Sequence, residues 1–312
     1  MTKIMIEEFE EYCQEQLGLS QHSLRAYRQD LSAFIKFKTK VGLRSHPTGK
    51  DIIAFQKDLR EEHDAGPATI RRRLVTLRSY CNWHEDCYQT EPTPFRGLRL
   101  DLKIPKRLPR PVDRPTLSAL FQSTEHLIEL DPTNTFQGTE EIPAIKITGL
   151  IARLLVVTGL RISEVTALHV RDVSSAATRI RVRGKGDRER TVYIANNRLQ
   201  ADFRHYWQNK FDRYGSQSWL FVNTKGDRLT PQAYRKRLRT LSKTLRIEPH
   251  LTPHRFRHSA ATMLIEEGVD IRLVQRLLGH ASIATTEIYT KVSDNSLSSA
   301  VAAADTLATV DA

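Results

Sequence analysis

The first candidate site residues, Arg161 and Glu164, lie in the stretch TGLRISEVTAL. Because these residues are three apart, their side chains share one face of a helix. The planar guanidinium of such an arginine can bind a phosphate in a fixed orientation, and the carboxylate can steady it. The ordinary alternative is a surface ion pair, which contributes about 0.3 kcal/mol.

A lysine with unusual flanks follows in RGKGDRERT, where Lys185 lies between two glycines. Alternating residues on both sides of this stretch predict a β-hairpin with Lys185 near its tip. The glycines would let the tip move and bring an ammonium group close to a ligand. The stretch is not a P-loop, because the GxxxxGKS/T spacing is absent. A solvated turn lysine is the alternative.

A cluster of cationic and imidazole groups is predicted in LTPHRFRHSAATMLIEEG. Thr252 can cap a helix whose first residue is proline. His254 and Arg257 then share one face of that helix. His254 and His258 also have the spacing of zinc ligands, but the glutamate of an HExxH site is missing and the nearby arginines would repel a cation. The cluster therefore favours an anion site.

The last motif, LGHASIATTEIYT, places His280 nine residues before Tyr289. Gly279 is expected to end a helix, which puts His280 in a turn. Ser282 can cap the following helix, which carries Tyr289. A tyrosine hydroxyl can act as a nucleophile. A core tyrosine and an ordinary helix-end histidine are the alternatives when each residue is taken alone.

The four motifs together resemble the active-site pattern of the tyrosine recombinase (phage integrase) family, most closely its XerC/XerD-like members. The resemblance rests on six residues in a fixed order: Arg161, Lys185, His254, Arg257, His280 and Tyr289. The N-terminal stretches SLRAYRQDLSAF and ATIRRRLVTLRSY look like the core-binding helices of the family. The resemblance therefore covers nearly the whole chain.

This resemblance implies a site-specific DNA recombinase or integrase that works without metal, ATP or another cofactor. Tyr289 would cleave a DNA phosphodiester to give a 3′-phosphotyrosyl intermediate and a free 5′-hydroxyl. Rejoining between two sites would pass through a Holliday junction.

The other site residues take roles from the same resemblance. Arg161 and Arg257 would neutralise the nonbridging phosphate oxygens, steadied by the accessory Glu164. His280 would donate a further hydrogen bond to those oxygens. His254 is the expected base for the tyrosine proton. Lys185 is the expected acid for the leaving 5′ oxygen.

We expect the candidate site residues to lie in a mainly α-helical fold with a small antiparallel β-sheet. Helical spacing of apolar residues over 1–90 predicts a four-helix core-binding (SAM-like) domain, with N-caps at Ser20 and Thr48 and one helix starting near Pro67. Proline-rich residues 91–115 predict an extended basic linker. Residues 116–293 are expected to form an α+β catalytic domain, starting with a helix at Thr116 and with a possible short strand at SWLFV.

The family arrangement implies a C-shaped clamp on double-stranded DNA. We expect DNA contacts from one helix through Arg25 and Arg28, and from another through Arg71, Arg72 and Arg73. Because the latter three spread over about 200° of a helix, at least one should face away from DNA. The tail 294–312 is expected to dock on a neighbouring subunit, giving a homotetramer on synapsed sites from a free monomer. A partner or accessory recombinase is a further candidate partner.

Composition agrees with this interpretation. The net charge of +12 favours a polyanionic partner. The three cysteines are scattered without a CxxC pair, which argues against a disulfide framework or zinc ribbon and indicates a reducing cytoplasm. The N-terminus does not resemble a signal peptide, and no apolar run approaches membrane-spanning length. We therefore expect a cytoplasmic protein.

Three other functions stay open at this stage: a DNA-binding regulator with a recombinase fold, a type IB topoisomerase-like nicking enzyme, and, more distantly, a metal hydrolase. One segment departs from the Xer pattern, because residues 125–143 are longer than their usual counterpart. This favours an integrase of a mobile genetic element over a dedicated chromosome-dimer resolvase.

Overall fold

The computed structural model describes residues 5–43, 46–89, 92–98, 111–130, 143–184, 189–223 and 225–279. The chain divides into two compact units, Met1–Arg107 and Leu108–Ala312. Lys185, His280 and Tyr289 lie outside the described residues, as does the tail 294–312.

The described part of the first unit contains four helices: α1 (Ile6–Glu15), α2 (Gln21–Lys40), α3 (Gly49–Glu61) and α4 (Pro67–Tyr88). Ser20 caps α2 by accepting a hydrogen bond from the backbone N–H of Ser23 at 3.3 Å. Asp51 closes the start of α3, because its carboxylate accepts from both the N–H and the hydroxyl of Thr48. Pro67 opens α4. The predicted four helices and both cap positions are confirmed.

An aromatic core holds these helices together. Phe34 and Phe55 meet edge to face with centroids 5.1 Å apart, and Phe9 packs against Trp83 at 5.2 Å. Phe95 is buried in the same core. Residues 92–98, at the start of the predicted linker, therefore pack on the first unit.

The second unit is mainly helical and contains one described β-hairpin. Its helices are α5 (Arg114–Leu130), α6 (Ala144–Thr158), α7 (Ile162–Val165), α8 (Asn197–Tyr214), α9 (Pro231–Thr244), α10 (Pro253–Glu266) and α11 (Ile271–Leu278). Strands β1 (Arg179–Arg183) and β2 (Glu189–Tyr193) pair antiparallel, with Val182 opposite Arg190. The predicted hairpin is confirmed. The SWLFV stretch forms only isolated bridges at Trp219 and Val222.

Helix α6 lies at the centre of this unit, packed against α5 and α10. Its residues Ile151, Leu154 and Leu155 are fully buried, and each buried side chain of this kind contributes about 1.5–3 kcal/mol. Helix α5 begins at Arg114, two residues before the expected start, because Asp113 accepts a hydrogen bond from the N–H of Thr116 at 2.8 Å. Within the described ranges, no helix is long and apolar enough to cross a membrane.

Candidate active site

Arg161 is placed by a sharp turn at the end of α6. Gly159 ends that helix in the left-handed conformation, with φ 63°, and α7 starts directly after Arg161. The backbone N–H of Arg161 donates to Glu164 Oε2 at 2.8 Å, and its Nη1 donates to Oε1 at 3.1 Å. Its side chain remains 39% exposed. The local Arg–Glu pair predicted from spacing therefore forms, with the guanidinium still open to a ligand.

Arg257 is held much more tightly, on α10. Thr252 caps this helix through its side-chain oxygen, as predicted. Only 3% of Arg257 is exposed. Its Nη1 donates to the carbonyl of Gly159 at 2.6 Å, and its Nη2 donates to the carbonyl of Leu278 at 2.7 Å. These contacts fix the plane of the guanidinium at the ends of α6 and α11.

Sequence reasoning missed Arg190, on β2. Its two terminal nitrogens donate to the two oxygens of Glu164 at 3.0 and 2.9 Å, and its Nε donates to the Leu277 carbonyl at 3.0 Å. The alternation of residues along a strand could have predicted that Arg190 faces inward, because it lies on the same face of β2 as the buried Val192. An arginine at an inward strand position needs a buried partner.

Glu164 is an ionised carboxylate in a largely buried position. Burial alone would raise the pKa of Glu164, but hydrogen bonds from Arg190 and from the backbone N–H of Arg161 outweigh burial. The pKa of Glu164 is therefore lowered. The carboxylate carries a full charge at neutral pH and can orient Arg161.

His254 lies on the same face of α10 as Arg257. Burial lowers the pKa of His254, and the charges of Arg257, Arg161 and Arg235 lower it further. His254 stacks on His258 with centroids 5.7 Å apart. Burial, with His254 and Arg257, lowers the pKa of His258 to about 4. Both imidazoles are therefore neutral near pH 7, and a neutral imidazole can accept a proton.

A cavity of about 650 Å³ opens in front of these residues. Its lining includes four arginines, one lysine and two histidines, namely Arg161, Arg235, Arg239, Arg257, Lys243, His250 and His254. No aspartate or glutamate is among the described lining residues. The cavity is therefore suited to a polyanion.

Three of these cations come from α9 and were not singled out from the sequence. Arg235, Arg239 and Lys243 are spaced four residues apart, so they form one stripe along that helix. No ion pair with another described residue neutralises them. The spacing is visible in the sequence, but the direction of the stripe depends on how α9 packs.

The arginines predicted to contact DNA in the first unit fall into two groups. Arg28 donates from Nε to Glu10 at 2.8 Å, and Arg72 donates from Nη1 to Asp30 at 2.6 Å. Arg73 lies 3.8 Å from the same buried Asp30 and is mostly buried itself. Burial raises the pKa of Asp30 more than these cations lower it.

Arg25 and Arg71 are exposed, and they form no ion pair with another described residue. Of the five arginines expected to contact DNA, two are therefore exposed without an ion pair to a described residue, and three lie next to a carboxylate of their own unit.

The structure brings four of the predicted site residues together: Arg161, Glu164, His254 and Arg257. The hairpin strands end on either side of the tip that carries Lys185, and α11 ends directly before Gly279 and His280. No group of three possible metal ligands occurs among the described residues. Within that part of the chain, His254 and His258 therefore have no third ligand for a zinc site.

Comparisons with known proteins identify the class. The model of the phage integrase family matches residues 137–296, and the model of the phage integrase N-terminal SAM-like domain matches residues 6–86. The tyrosine recombinase XerC of Herpetosiphon aurantiacus is 33% identical over 294 residues, which cover 93% of this chain and 91% of the relative. XerD of Halalkalibacterium halodurans is 31% identical over 294 residues, covering 92% of each chain.

Solved structures agree on the fold. The XerH site-specific recombinase bound to palindromic difH substrate, in a post-cleavage complex, has a TM-score of 0.69 and 20% identity, covering 95% of this chain and 84% of that one. The first unit therefore has the helical SAM-like fold, and the second has the mainly helical fold of these recombinases.

The chain belongs to the phage integrase family of tyrosine recombinases, and its similarity within that family is to XerC and XerD. The expected family and fold class are confirmed. The protein is a site-specific recombinase that acts by tyrosine cleavage.

Proposed function

We propose that Tyr289 of this recombinase attacks a phosphodiester of double-stranded DNA held in the basic cavity of the second unit. The observation that carries the proposal is the convergence of Arg161, Arg257 and a neutral His254 on this cavity. The phosphoryl group carries negative charge that is redistributed during attack, and fixed guanidinium groups stabilise it. Arg257 is buried and held by two backbone carbonyls, so it would orient the phosphate, and the more exposed Arg161 would bind it from the open side of the cavity.

The proton transfers follow from the ionisation of the site. Tyr289 gives its proton to neutral His254 as its oxygen bonds to phosphorus. The bond from phosphorus to the 5′ oxygen breaks, and Lys185 protonates that oxygen. His280 donates a hydrogen bond to a nonbridging oxygen. The products are a 3′-phosphotyrosyl bond and a 5′-hydroxyl.

Strand exchange reverses these steps with a different 5′-hydroxyl. The phosphotyrosyl bond keeps the energy of the cleaved diester, so rejoining needs no ATP. Exchange of one strand pair gives a Holliday junction, and exchange of the second pair resolves it. We propose no metal in either step, because the arginines supply the positive charge.

DNA binding is proposed to use both units. Residues 1–90 serve as the core-binding domain, 91–115 as the basic linker and 116–293 as the catalytic domain, acting on DNA in the cytoplasm. Arg25 and Arg71 are exposed cations of the first unit that form no ion pair with another described residue, and the stripe Arg235, Arg239 and Lys243 lines the cavity of the second unit. Phosphate contacts of this kind set position and affinity.

Assembly is proposed to be tetrameric on two synapsed DNA sites. The tail 294–312, which lies outside the described residues, would dock on the neighbouring subunit.

A covalent trapping experiment tests the function. DNA fragments from the locus of the gene are nicked near each candidate site, so that the cleaved strand diffuses away and the adduct persists. Wild type is expected to give an adduct on a denaturing gel, with or without EDTA, and Tyr289→Phe is expected to give none. Tyr193→Phe is the matched control, because Tyr193 is 62% exposed on β2.

The outcomes separate the candidate functions. An adduct from Tyr289→Phe would overturn the assigned nucleophile, and loss of the wild-type adduct in EDTA would overturn the metal-free mechanism. Strands exchanged between two duplexes identify recombination, whereas relaxation of supercoils alone would identify a topoisomerase-like enzyme.

A further inference from the structure

Three arginines meet at the C-terminal end of α11. Arg190 binds the carbonyl of Leu277 at 3.0 Å, Arg257 binds that of Leu278 at 2.7 Å, and Arg161 reaches that of Gly279 at 3.5 Å. Carbonyls at the end of a helix have no partner within the helix and carry partial negative charge. The three cations therefore hold the segment that leads directly into His280.

Arg190 connects this helix end to Glu164. Its forked pair with Glu164 is nearly buried, since the side chains are 15% and 6% exposed. Glu164 binds both the backbone and the guanidinium of Arg161. Removing Arg190 would therefore loosen two supports at once: the carboxylate that orients Arg161, and the carbonyl at Leu277.

The position of Arg190 on β2 adds a third connection. The residue follows Glu189, the first residue of that strand, so it lies at the start of β2. Gly279 makes the close approach possible: it has φ 65°, and a Cβ there would lie 3.0 Å from Nη1 of Arg190. The base of the hairpin is thus fixed against both α7 and α11.

We propose that Arg190 is a positioning residue that couples the start of β2 to Arg161 and to the C-terminal end of α11. It acts through Glu164 and through the Leu277 carbonyl, and it need not contact the DNA. The inference rests on the proposed function, because it concerns the geometry of that same site.

Lysine cannot replace Arg190 in this role. Two parallel hydrogen bonds to Glu164 and a third to Leu277 need the planar, five-donor guanidinium, and an ammonium is a point charge without that fork. A misplacement of about 1 Å in a reacting group can lower a rate by about 100-fold. We therefore expect Arg190→Met and Arg190→Lys to slow cleavage by about 10- to 100-fold.

The pH dependence should move as well. Among the described residues, the charged groups facing Glu164 are Arg161, which directly precedes α7, and Arg190 on β2. Without Arg190, its hydrogen bonds and its charge no longer lower the pKa of Glu164, so that pKa rises. Glu164 then takes up a proton at higher pH and releases Arg161. The acidic limb of the cleavage rate should shift to higher pH in Arg190→Met.

The experiment measures the single-turnover rate of adduct formation by the full chain on saturating nicked DNA, from pH 5.5 to 8.5. Arg183→Met is the matched control, because it removes the same charge from the same hairpin, and the Arg183–Glu189 pair is exposed. It should keep the wild-type rate and pH profile. The double variant Arg190→Met/Glu164→Gln should be no slower than the slower single variant.

Thermal melting of each variant tells a folding defect from a positioning defect. If Arg190→Met does not fold, Arg190→Ala is assayed with millimolar guanidinium chloride, which should restore part of the rate by occupying the vacated site beside Glu164. A folded Arg190 variant with the wild-type rate and pH profile would overturn the positioning role but not the proposed function. The same conclusion would follow if the fold-losses in rate of the two single variants multiplied in the double variant. A wild-type chain that forms no adduct would overturn the proposed function itself.

Discussion

The close approach of α6 and α11 at Gly159 gives a stability prediction. An alanine at this position would place its Cβ 2.5 Å from Cδ2 of Leu278 and 3.7 Å from Cβ of Ala260. Leu278 is fully buried and cannot move into solvent without loss of its own contacts. Gly159 also has φ 63°, so any side chain there adopts the left-handed conformation.

The two effects have separate magnitudes. The left-handed conformation costs an L-residue about 1–2 kcal/mol, and overpacking of a buried site costs about 1–3 kcal/mol more. Gly268 is the matched control, because it has φ 79° and nothing lies within 4 Å of a Cβ built there. Gly268→Ala should therefore show only the backbone cost, and Gly159→Ala should be about 2 kcal/mol less stable than Gly268→Ala.

Differential scanning calorimetry of the full chain measures this difference. For a unit of this size, 2 kcal/mol corresponds to a melting temperature about 4–8 °C lower. Leu278→Ala costs about 2–5 kcal/mol alone but removes the clash. The loss of unfolding free energy in the double variant Gly159→Ala/Leu278→Ala should therefore be smaller than the sum of the two single losses, by about 1–3 kcal/mol.

Two results would refute the reasoning. Equal melting temperatures for Gly159→Ala and Gly268→Ala would mean that the Leu278 side chain moves away from the added Cβ without loss of stability. Strict additivity in the double variant would mean that the two positions do not touch. The cleavage rate provides a further check, since the carbonyls of Gly159 and Leu278 both anchor Arg257.

Three further predictions concern pH, salt and assembly. The fold lowers the pKa of His258 from its ordinary 6.5 to about 4. Between these pH values the folded state binds fewer protons than the unfolded state, so stability should fall as the pH drops from 6.5 to 4. In His258→Gln the melting temperature should depend less on pH over this range. Arg71→Ala should reduce the slope of log affinity for DNA against log salt by about 1, and Arg28→Ala should change it less, because Arg28 already pairs with Glu10. Deleting 294–312 should weaken cooperative binding to paired sites more than binding to one site in gel shifts, and unchanged synapsis would contradict the docking role.

Local signals predicted much of the structure. Ser20 and Thr252 cap helices because a hydroxyl three residues before a free backbone N–H is within reach whatever the rest of the chain does. Arg161 and Glu164 meet because three residues separate them. The helix start at Arg114 and the isolated bridges at SWLFV differ from expectation, because element boundaries depend on neighbouring caps and partners.

Contacts between residues that are far apart in the sequence could not be predicted from such local patterns. Arg190 and Glu164 are 26 positions apart, and Arg257 and the Gly159 carbonyl are 98 apart. Neither separation matches a helical or strand period, so no local pattern indicates that these groups meet. Their pairing requires α6, α7, α10, α11 and β2, which are distant in the sequence, to pack together.

The family, the helical class and the order of the chemical groups from Arg161 to Tyr289 can be predicted from the sequence, because they depend on residue types and short spacings. Which of the described cations form ion pairs and which do not is evident only in the folded structure. Arg28, Arg72 and Arg73 face carboxylates within their unit, whereas the α9 stripe faces the cavity. Whether a charged side chain meets an anion of its own protein or stays open to a ligand depends on the packing of distant elements.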